Sequence, residues 1–312
     1  MNDMNSSPVI LLMGPTASGK TGLSLALAER LPVEIISVDS ALVYRGLDIG
    51  SAKPDPEMRA RVAHHLIDIV DPAEPYSAAR FVDDARRLIA DIRARDRVPL
   101  LVGGTMLYFR ALQGGLSELP SADAPLRARI ESRADIEGWP QQHERLAQLD
   151  PLTAARLHPN DRQRIQRALE IIELTGRPLA EFHARRRAPT LLGPLVKLAL
   201  NPPARHELHA RIAQRFHAMM ADGFLNEVER LHARGDLHAD LPSIRAVGYR
   251  QLWMHLQGEC SLDEAVARGI AATRQFAKRQ LTWLRSETDL QWLDPSASDL
   301  IDQALRHLRL TR

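Results

Sequence analysis

The sequence predicts an α/β protein: a P-loop core on a parallel sheet with helices on both faces, and an inserted all-helical subdomain. Three observations lead to this prediction. Apolar strand-like runs alternate with helical patterns over about the first 115 residues, an order typical of parallel sheets. A glycine-rich phosphate-binding motif joins the first run to the first helix. From about residue 120 to residue 187, only helical patterns remain.

The first part of the core contains four predicted strands and three predicted helices. The helix that starts near Ser77 has a capping residue at its start and apolar residues at helical spacing. In chain order, these elements are a strand at 8–13, a helix at 20–30, a strand at 33–38, a short strand-like piece within 64–70, the helix from Ser77, a strand at 98–102 and a helix at 105–113.

The rest of the chain is predicted to be mostly helical. Helices at 124–148 and 160–175 form the insertion, and Gly176 and Pro178 end the second of them. A strand at Leu195–Leu200 returns the chain to the sheet. The remaining predicted helices are 203–221, 223–234, 246–257 and 262–286. The predicted domains are thus core residues 1–119, a helical insertion at 120–187, and the remainder of the core at 188–312.

Residues Gly14–Thr21 carry the pattern G-x-x-x-x-G-K-[ST] in full, with the sequence GPTASGKT. The motif lies between an apolar run and a helical pattern, so its backbone N–H groups and the helix dipole converge on one point. Lys20 adds a positive charge, and the Thr21 hydroxyl is placed to hold Mg²⁺. The loop is therefore predicted to bind a diphosphate or a triphosphate through Gly14, Pro15, Thr16, Ala17, Ser18, Gly19, Lys20 and Thr21.

The carboxylate that a kinase or an ATPase needs is not in its usual place. Such enzymes usually end a second apolar strand in an aspartate that helps to hold Mg²⁺. Here the strand at 98–102 ends in Gly103-Gly104-Thr105, whereas the strand at 33–38 ends in Asp39. Because ligands bind at the carboxyl ends of parallel strands, we expect the phosphate loop, Asp39 and Thr105 to lie together.

Composition and length are ordinary for a globular chain. The 312 residues are 45% hydrophobic and 26% charged. No apolar run approaches the length of a membrane-spanning helix, and no secretory signal precedes the phosphate loop, so we expect a cytoplasmic protein. Cys260 is the only cysteine, which excludes an internal disulfide and a cysteine-rich zinc site.

Net charge is only +2, but two segments are locally basic. Residues 162–187 contain seven arginines and three glutamates, and residues 265–285 contain five basic residues and no acidic one. Such segments are typical of proteins that bind a phosphate backbone, although each on its own also fits a solvated helix face.

Together with the phosphate loop, several strings closely resemble the bacterial tRNA dimethylallyltransferases. The strings occur in the family's order, and the resemblance runs from about residue 8 to residue 285. One small departure is Met106, where the family often has glycine. The strings are Asp39–Pro54, His64–Asp68, Val102–Thr105, Gln163–Arg167 and Ala246–Gln251.

This resemblance implies transfer of a dimethylallyl group from dimethylallyl diphosphate to N6 of adenine 37, beside the tRNA anticodon. It implies that Asp39 is the general base, that Thr105 is a second site residue, and that Arg215 neutralises the diphosphate together with Lys20 and Thr21. The cofactor it implies is Mg²⁺. The implied partners are the anticodon stem-loop and the prenyl diphosphate, with no membrane, and we expect a monomer.

The resemblance also implies RNA contacts on three stretches of the chain and at two isolated residues, a threonine and an arginine. The residues are Asp39, Ser40, Ala41, Leu42, Thr105, Arg127, Gln163, Arg164, Ile165, Gln166, Arg167, Arg245, Ala246, Val247, Gly248, Tyr249 and Arg250.

Two other classes of function stay open at this point. One is an enzyme that acts on small molecules, either a P-loop kinase or an adenylate prenyltransferase that modifies free nucleotides. The insertion argues against it, because a free nucleotide needs no remote basic surface. The other is an RNA-binding module without activity, against which the intact Lys20, Thr21 and Asp39 argue.

Overall fold

The structure is a computed structural model that describes residues 7–115, 117, 119–184, 193–202 and 204–309. Its strands are β1 (Val9–Met13), β2 (Val33–Val38), β3 (His64–His65), β4 (Val98–Gly103), β5 (Leu195–Leu200) and β6 (Leu290–Leu293). Its helices are α1 (Lys20–Ala28), α2 (Pro56–Arg61), α3 (Ala78–Ala94), α4 (Met106–Gly114), α5 (Ala124–Glu137), α6 (Trp139–Leu149), α7 (Pro151–Ala154), α8 (Arg162–Thr175), α9 (Leu179–Ala184), α10 (Arg205–Ala221), α11 (Phe224–His232), α12 (Tyr249–Leu256), α13 (Leu262–Leu284) and α14 (Leu300–Arg309).

The predicted α/β fold is confirmed, with a sheet whose described strands are all parallel. Its order is β3-β2-β4-β1-β5-β6. The register pairs Met13 with Gly103 and Val38 with Gly103, so β1, β2 and β4 end at the same level. The phosphate loop after β1, Asp39 after β2 and Thr105 after β4 therefore leave one edge of the sheet side by side.

The core of the sheet follows from its apolar strands. Every residue of β1 and β2 is buried, as expected for central strands covered on both faces. One apolar cluster joins alternate residues of β1, β4 and β5 to helices α1 and α14. Helix α3 packs against β2 and β4 and buries Phe81, Ala85, Ile89 and Ile92, the helical-spacing residues that predicted it. Ser77 caps this helix by accepting a hydrogen bond from the Arg80 amide.

Some predicted elements differ from the observed ones. The single helix predicted at 124–148 is two helices, because Gly138 has a φ of 87° and the proline at 140 opens the next helix. The strand predicted within 64–70 covers only His64–His65. Helices α2, α7, α9 and α14 and strand β6 were not predicted from the sequence. The strands at 33–38 and 195–200 have the predicted bounds.

The inserted helices form their own compact unit, Gln113–Thr190, against the predicted 120–187. The other unit comprises Met1–Leu112 and Leu191–Arg312. Helices α5 to α9 enclose a separate apolar core that includes Leu126, Ile130 and Leu169. Arg185, Arg186 and Arg187, part of the basic segment noted above, lie outside the described residues. Among the helices that the structure describes, none has the length and apolar character needed to cross a bilayer.

Candidate active site

The phosphate loop is the turn between β1 and α1. Lys20 opens the helix and folds back over the loop, with its Nζ donating to the carbonyl oxygens of Gly14 (2.9 Å) and Pro15 (2.7 Å). Gly19 precedes the helix with a φ of 94°, which a residue with a side chain adopts only under strain. The first N–H groups of a helix have no acceptor within it, so the start of α1 offers free donors beside the Lys20 ammonium.

Lys20 belongs to a group of charges that spans three elements. Burial lowers the pKa of Lys20 to about 8; the negative charge of Asp39 opposes this shift and the positive charge of Arg215 adds to it. Burial also lowers the pKa of Arg215, and the negative charge of Asp39 again opposes the shift. Arg215, on α10, makes no hydrogen bond or ion pair with any residue that the structure describes. The loop thus faces two cations and one carboxylate, an arrangement suited to a polyanion with a reacting partner beside it.

Asp39 sits in a turn that Thr105 stabilises. Its Oδ1 accepts a hydrogen bond from the Ala41 amide at 2.8 Å, which closes an Asx turn. The Thr105 hydroxyl accepts from the Ser40 amide at 3.1 Å, and the Thr105 amide donates to the Val38 carbonyl oxygen. Within the described chain, nothing donates to the second carboxylate oxygen of Asp39. That oxygen is available to an incoming hydrogen-bond donor.

A cavity of about 330 Å³ lies beside these groups, and the predicted catalytic residues Asp39 and Arg215 line it, whereas Lys20, Thr21 and Thr105 do not. Thr16 and Ala17 of the phosphate loop, Asp39 and Arg215 line it, which brings together most of the predicted catalytic segments. Arg215 lies in its wall, whereas Arg211, one turn earlier, is exposed. The other lining residues are Ser40, Ala41, Gly50, Ser51, Ile212, Phe216, Met219, Pro242, Arg245, Ala246, Val247, Tyr249, Thr273, Phe276 and Arg279.

Two of the predicted RNA-contacting stretches meet at this cavity. Ser40 and Ala41 come from the Asp39 turn, and Arg245, Ala246 and Val247 come from the segment before α12. The side chains of Ser40, Arg245 and Arg250 are exposed. Leu42 is half-buried, and its carbonyl oxygen accepts from the Asp68 amide. The Gly248 amide donates to the side chain of Gln251 at the start of α12.

The hydroxyl of Tyr249, in the second of these stretches, is bound within the protein: it donates at 2.6 Å to the buried carboxylate of Glu227. The same carboxylate accepts from the backbone amides of residues 48, 49 and 50, at 3.0, 2.8 and 3.2 Å. Burial raises the pKa of the Tyr249 hydroxyl, and the Glu227 charge adds to this. Tyr249 therefore holds the wall of the cavity and does not direct its hydroxyl to RNA.

Sequence reasoning missed Glu227, although the sequence carried a signal for it. Glu227 lies between Phe224 and Leu231 on the apolar face of α11, where an unpaired charge is costly. A carboxylate at such a position indicates a buried hydrogen-bonding role. Gln280, a buried glutamine of α13, was missed in the same way.

The helical unit holds the remaining predicted contacts. Ile165 is fully buried in the core of this unit, so the RNA contact predicted at this residue does not involve its side chain. Arg127 and Arg167 both bind the buried carboxylate of Glu170, at 2.9 and 2.6 Å. Burial alone would raise the pKa of Glu170, but these hydrogen bonds outweigh it and leave that pKa below its ordinary value.

The most exposed part of α8 is its first turn. Gln163 and Arg164 are exposed, and Arg164 pairs only with its helix cap, Asp161, among the described residues. Gln166 donates to the Arg127 carbonyl oxygen and to Glu131. Of the five predicted residues of this helix, Gln163 and Arg164 present the most side chain to solvent.

The described residues contain no group of three or more His, Cys, Asp or Glu side chains that could hold a metal ion. Thr21 is exposed in the first turn of α1, beside the donors of the phosphate loop. A single protein hydroxyl is compatible with an Mg²⁺ site, because this ion keeps several waters and also binds the phosphate oxygens of a substrate.

The chain matches known families and structures over nearly its whole length. The model of the family IPP transferase matches residues 42–287, and that of the family Isopentenyl transferase matches residues 7–67. A tRNA dimethylallyltransferase of Methylococcus capsulatus is 57% identical over 302 residues, covering 97% of each chain. One of Cupriavidus necator is 59% identical over 304 residues, covering 96% of this chain and 94% of that one.

Solved structures agree with the sequence comparisons. The tRNA isopentenylpyrophosphate transferase of Bacillus halodurans superposes with a TM-score of 0.71 at 38% identity, covering 98% of both chains. A eukaryotic dimethylallyltransferase acting on tRNA superposes with a TM-score of 0.78 at 28% identity, covering 96% of this chain and 78% of that one.

Proposed function

We propose that this chain, which belongs to the IPP transferase family, transfers the dimethylallyl group of dimethylallyl diphosphate to N6 of adenine 37 in tRNA and releases pyrophosphate. The observation that carries this proposal is the cavity itself. It joins a phosphate loop and Arg215 to one free carboxylate oxygen, that of Asp39. The relatives named above support the acceptor, because they are enzymes that modify tRNA.

The diphosphate end of the reaction needs stabilisation of a leaving group. Breaking the allylic C–O bond leaves its electron pair on the pyrophosphate, which gains negative charge as the bond to N6 forms. Arg215 and the N–H groups at the start of α1 are positioned before the reaction to stabilise that charge. Lys20 adds its positive charge and the one N–H donor that its bonds to Gly14 and Pro15 leave free. Because its pKa is about 8, Lys20 is mostly protonated at neutral pH and keeps its charge for this task.

Mg²⁺ fits the phosphate loop at Thr21. The Thr21 hydroxyl would hold it, together with oxygens of the diphosphate, which is the usual way for this ion to bind. When bound, the ion supplies further positive charge to the leaving pyrophosphate.

The acceptor end needs a group that orients the amine and takes its proton. An exocyclic adenine amine is a weak nucleophile, since its lone pair is delocalised into the ring. The free oxygen of Asp39 is positioned to accept one N–H of that amine and to receive its proton. Thr105 acts through the backbone: its hydroxyl holds the Ser40 amide and so keeps the Asp39 turn in place.

The target base must leave its stack to enter the cavity, at a cost of a few kcal/mol. Contacts from Ser40, Arg245 and Arg250, and from Gln163 and Arg164 of the helical unit, offset this cost by binding the anticodon stem-loop. We further propose that the enzyme works in the cytoplasm, as a monomer, and that its P-loop motif, which resembles that of ATP-binding proteins, serves the prenyl diphosphate.

One experiment separates this proposal from its alternatives. The protein is incubated with Mg²⁺, dimethylallyl diphosphate and either an anticodon stem-loop or AMP, and the products are analysed by mass spectrometry. We expect prenylated adenine 37 in the stem-loop and no change in AMP. Prenylation of AMP alone would identify an adenylate prenyltransferase, phosphoryl transfer from ATP would identify a kinase, and binding without product would identify an inactive RNA-binding module.

A further inference from the structure

Gln280 is a buried side chain of α13 that joins two catalytic loops distant in sequence. Its Oε1 accepts from the backbone amide of Thr16, in the phosphate loop, at 2.9 Å. Its Nε2 donates to the carbonyl oxygen of Gly104, at the end of β4, also at 2.9 Å. Only 4% of the residue is exposed; its bond to Gly104 is buried and its bond to Thr16 is half-buried.

The fit around this amide is close. A Cβ atom at Gly104 would lie 2.1 Å from Nε2 of Gln280, a distance that real Cβ atoms do not show. Gly104 therefore has to be a glycine for the glutamine to reach its carbonyl oxygen. The residue that follows is Thr105, whose hydroxyl holds the turn that carries Asp39. One side chain thus joins the diphosphate loop to the segment that supports the general base.

The helix that carries Gln280 also lines the cavity. Thr273 and Phe276 lie seven and four residues before Gln280, a spacing that puts all three on one face of α13. Part of the cavity wall and the side-chain amide that holds the loop therefore belong to one 23-residue helix. A loop fixed to this helix has a defined distance to the cavity wall, which matters because small misplacements of reacting groups cost rate.

We propose that Gln280 is a positioning residue that sets the phosphate loop in its diphosphate-binding geometry against α13 and the Gly104–Thr105 turn. It touches no reacting atom and acts through the backbone of Thr16 and Gly104. Its loss leaves the half-buried Thr16 amide and the buried Gly104 carbonyl oxygen without this partner, and the loop has to move to satisfy them. This inference rests on the proposed function only in taking the ligand of the loop to be a diphosphate.

The test is Gln280→Ala in the full chain, with inorganic pyrophosphate and dimethylallyl diphosphate as probes in calorimetry. We expect both affinities to fall by about tenfold or more, the scale of two lost hydrogen bonds, one buried and one half-buried. In steady state, KM for dimethylallyl diphosphate should rise, while the affinity for the anticodon stem-loop stays within about twofold. Unchanged pyrophosphate affinity, or a loss confined to the stem-loop, would overturn the proposal.

A matched control variant measures the effect of losing a buried glutamine that lies away from the phosphate loop. Gln142 is also fully buried, but it lies in the helical unit, where its amide donates to Glu137. Gln142→Ala should lower the melting temperature and leave pyrophosphate affinity unchanged. If both variants lost pyrophosphate affinity equally, the role of Gln280 would be stability alone.

The partner on β4 gives a second, independent test. Gly104→Ala displaces the amide by steric overlap, so it should weaken pyrophosphate binding as Gln280→Ala does. Adding Gly104→Ala to Gln280→Ala should cost little more, since the contact is already gone. Full additivity of the two losses would contradict the shared contact. Because pyrophosphate binding is measured without tRNA, these outcomes stand apart from whether the wild-type protein prenylates RNA.

Discussion

Replacing Arg167 by alanine should change the stability of the helical unit and not its electrostatic contact with RNA. The sequence places Arg167 in a basic string and predicts that it contacts RNA, so that its replacement would remove one interaction with a phosphate. In the structure, its guanidinium binds groups of the protein itself. It donates to Glu170 at 2.6 Å and to the carbonyl oxygen of Pro120 at 2.6 Å.

The magnitude follows from what remains around Glu170. This carboxylate has no exposed surface, and in the variant it keeps two hydrogen bonds from Arg127 and one from the Asp123 amide. A buried ion left with no partner costs about 3–5 kcal/mol. Because Glu170 stays paired, we expect about 1–3 kcal/mol, the cost of the lost bonds.

The assay combines urea unfolding with tRNA affinity measured at several salt concentrations. We expect Arg167→Ala to unfold at lower urea and to keep the wild-type salt slope. The matched control is Arg164→Ala: the Arg164 side chain is 72% exposed, against 27% for Arg167. If Arg164 neutralises a phosphate, its loss makes the slope shallower by about one unit. Wild-type stability together with a shallower slope in Arg167→Ala would refute this reasoning.

Three further predictions concern single charges. Asp39→Asn should fold normally, bind tRNA nearly as well and lose turnover by about 10²-fold or more, which single-turnover kinetics would measure; near-normal turnover would contradict the role of general base. Lys20→Ala should lose diphosphate affinity and keep tRNA affinity, and calorimetry that finds wild-type diphosphate affinity in this variant would contradict the role of Lys20. In the wild type, diphosphate affinity should fall as pH rises through about 8, because the charged form of Lys20 binds; a flat affinity profile across this pH range would contradict that. The pKa of Glu170 is lowered by folding, so its stabilisation is present above its unfolded pKa and is lost as pH falls through the lower folded value; acid unfolding of Glu170→Gln should therefore be less steep than that of the wild type, and equal steepness would contradict this.

The sheet and the catalytic edge were predictable from sequence because both depend on local patterns. Apolar runs bounded by turns define β2 and β5 to the residue, and parallel strands must end at a common edge. That edge brings the phosphate loop, Asp39 and Thr105 together whatever the details of packing. The break at Gly138 also had a local signal, a glycine followed by a proline at 140, which the helical periodicity of the flanking residues obscured.

The missed features depend on contacts between distant parts of the chain. Gln280 meets the phosphate loop across 264 residues, and Glu227 meets the loop before α2 across 177 to 179. Nothing in the neighbourhood of either residue states where its side chain will go. Strand β6 has only four residues, lies at the edge of the sheet and leaves Trp292 40% exposed, so its pattern was weak.

The distribution of charge around the cavity explains why this phosphate loop does without the carboxylate of a hydrolase. Among the described lining residues, Asp39 is the only acidic one, while Arg215, Arg245 and Arg279 are basic. In the part of the chain that the structure describes, the protein donates a hydrogen bond to only one oxygen of Asp39, so the other oxygen is free to receive one proton. The arginines offset negative charge, as a departing pyrophosphate requires. Transfer to an amine needs these two functions, a proton acceptor and charge stabilisation, and it needs no second carboxylate to position an attacking water.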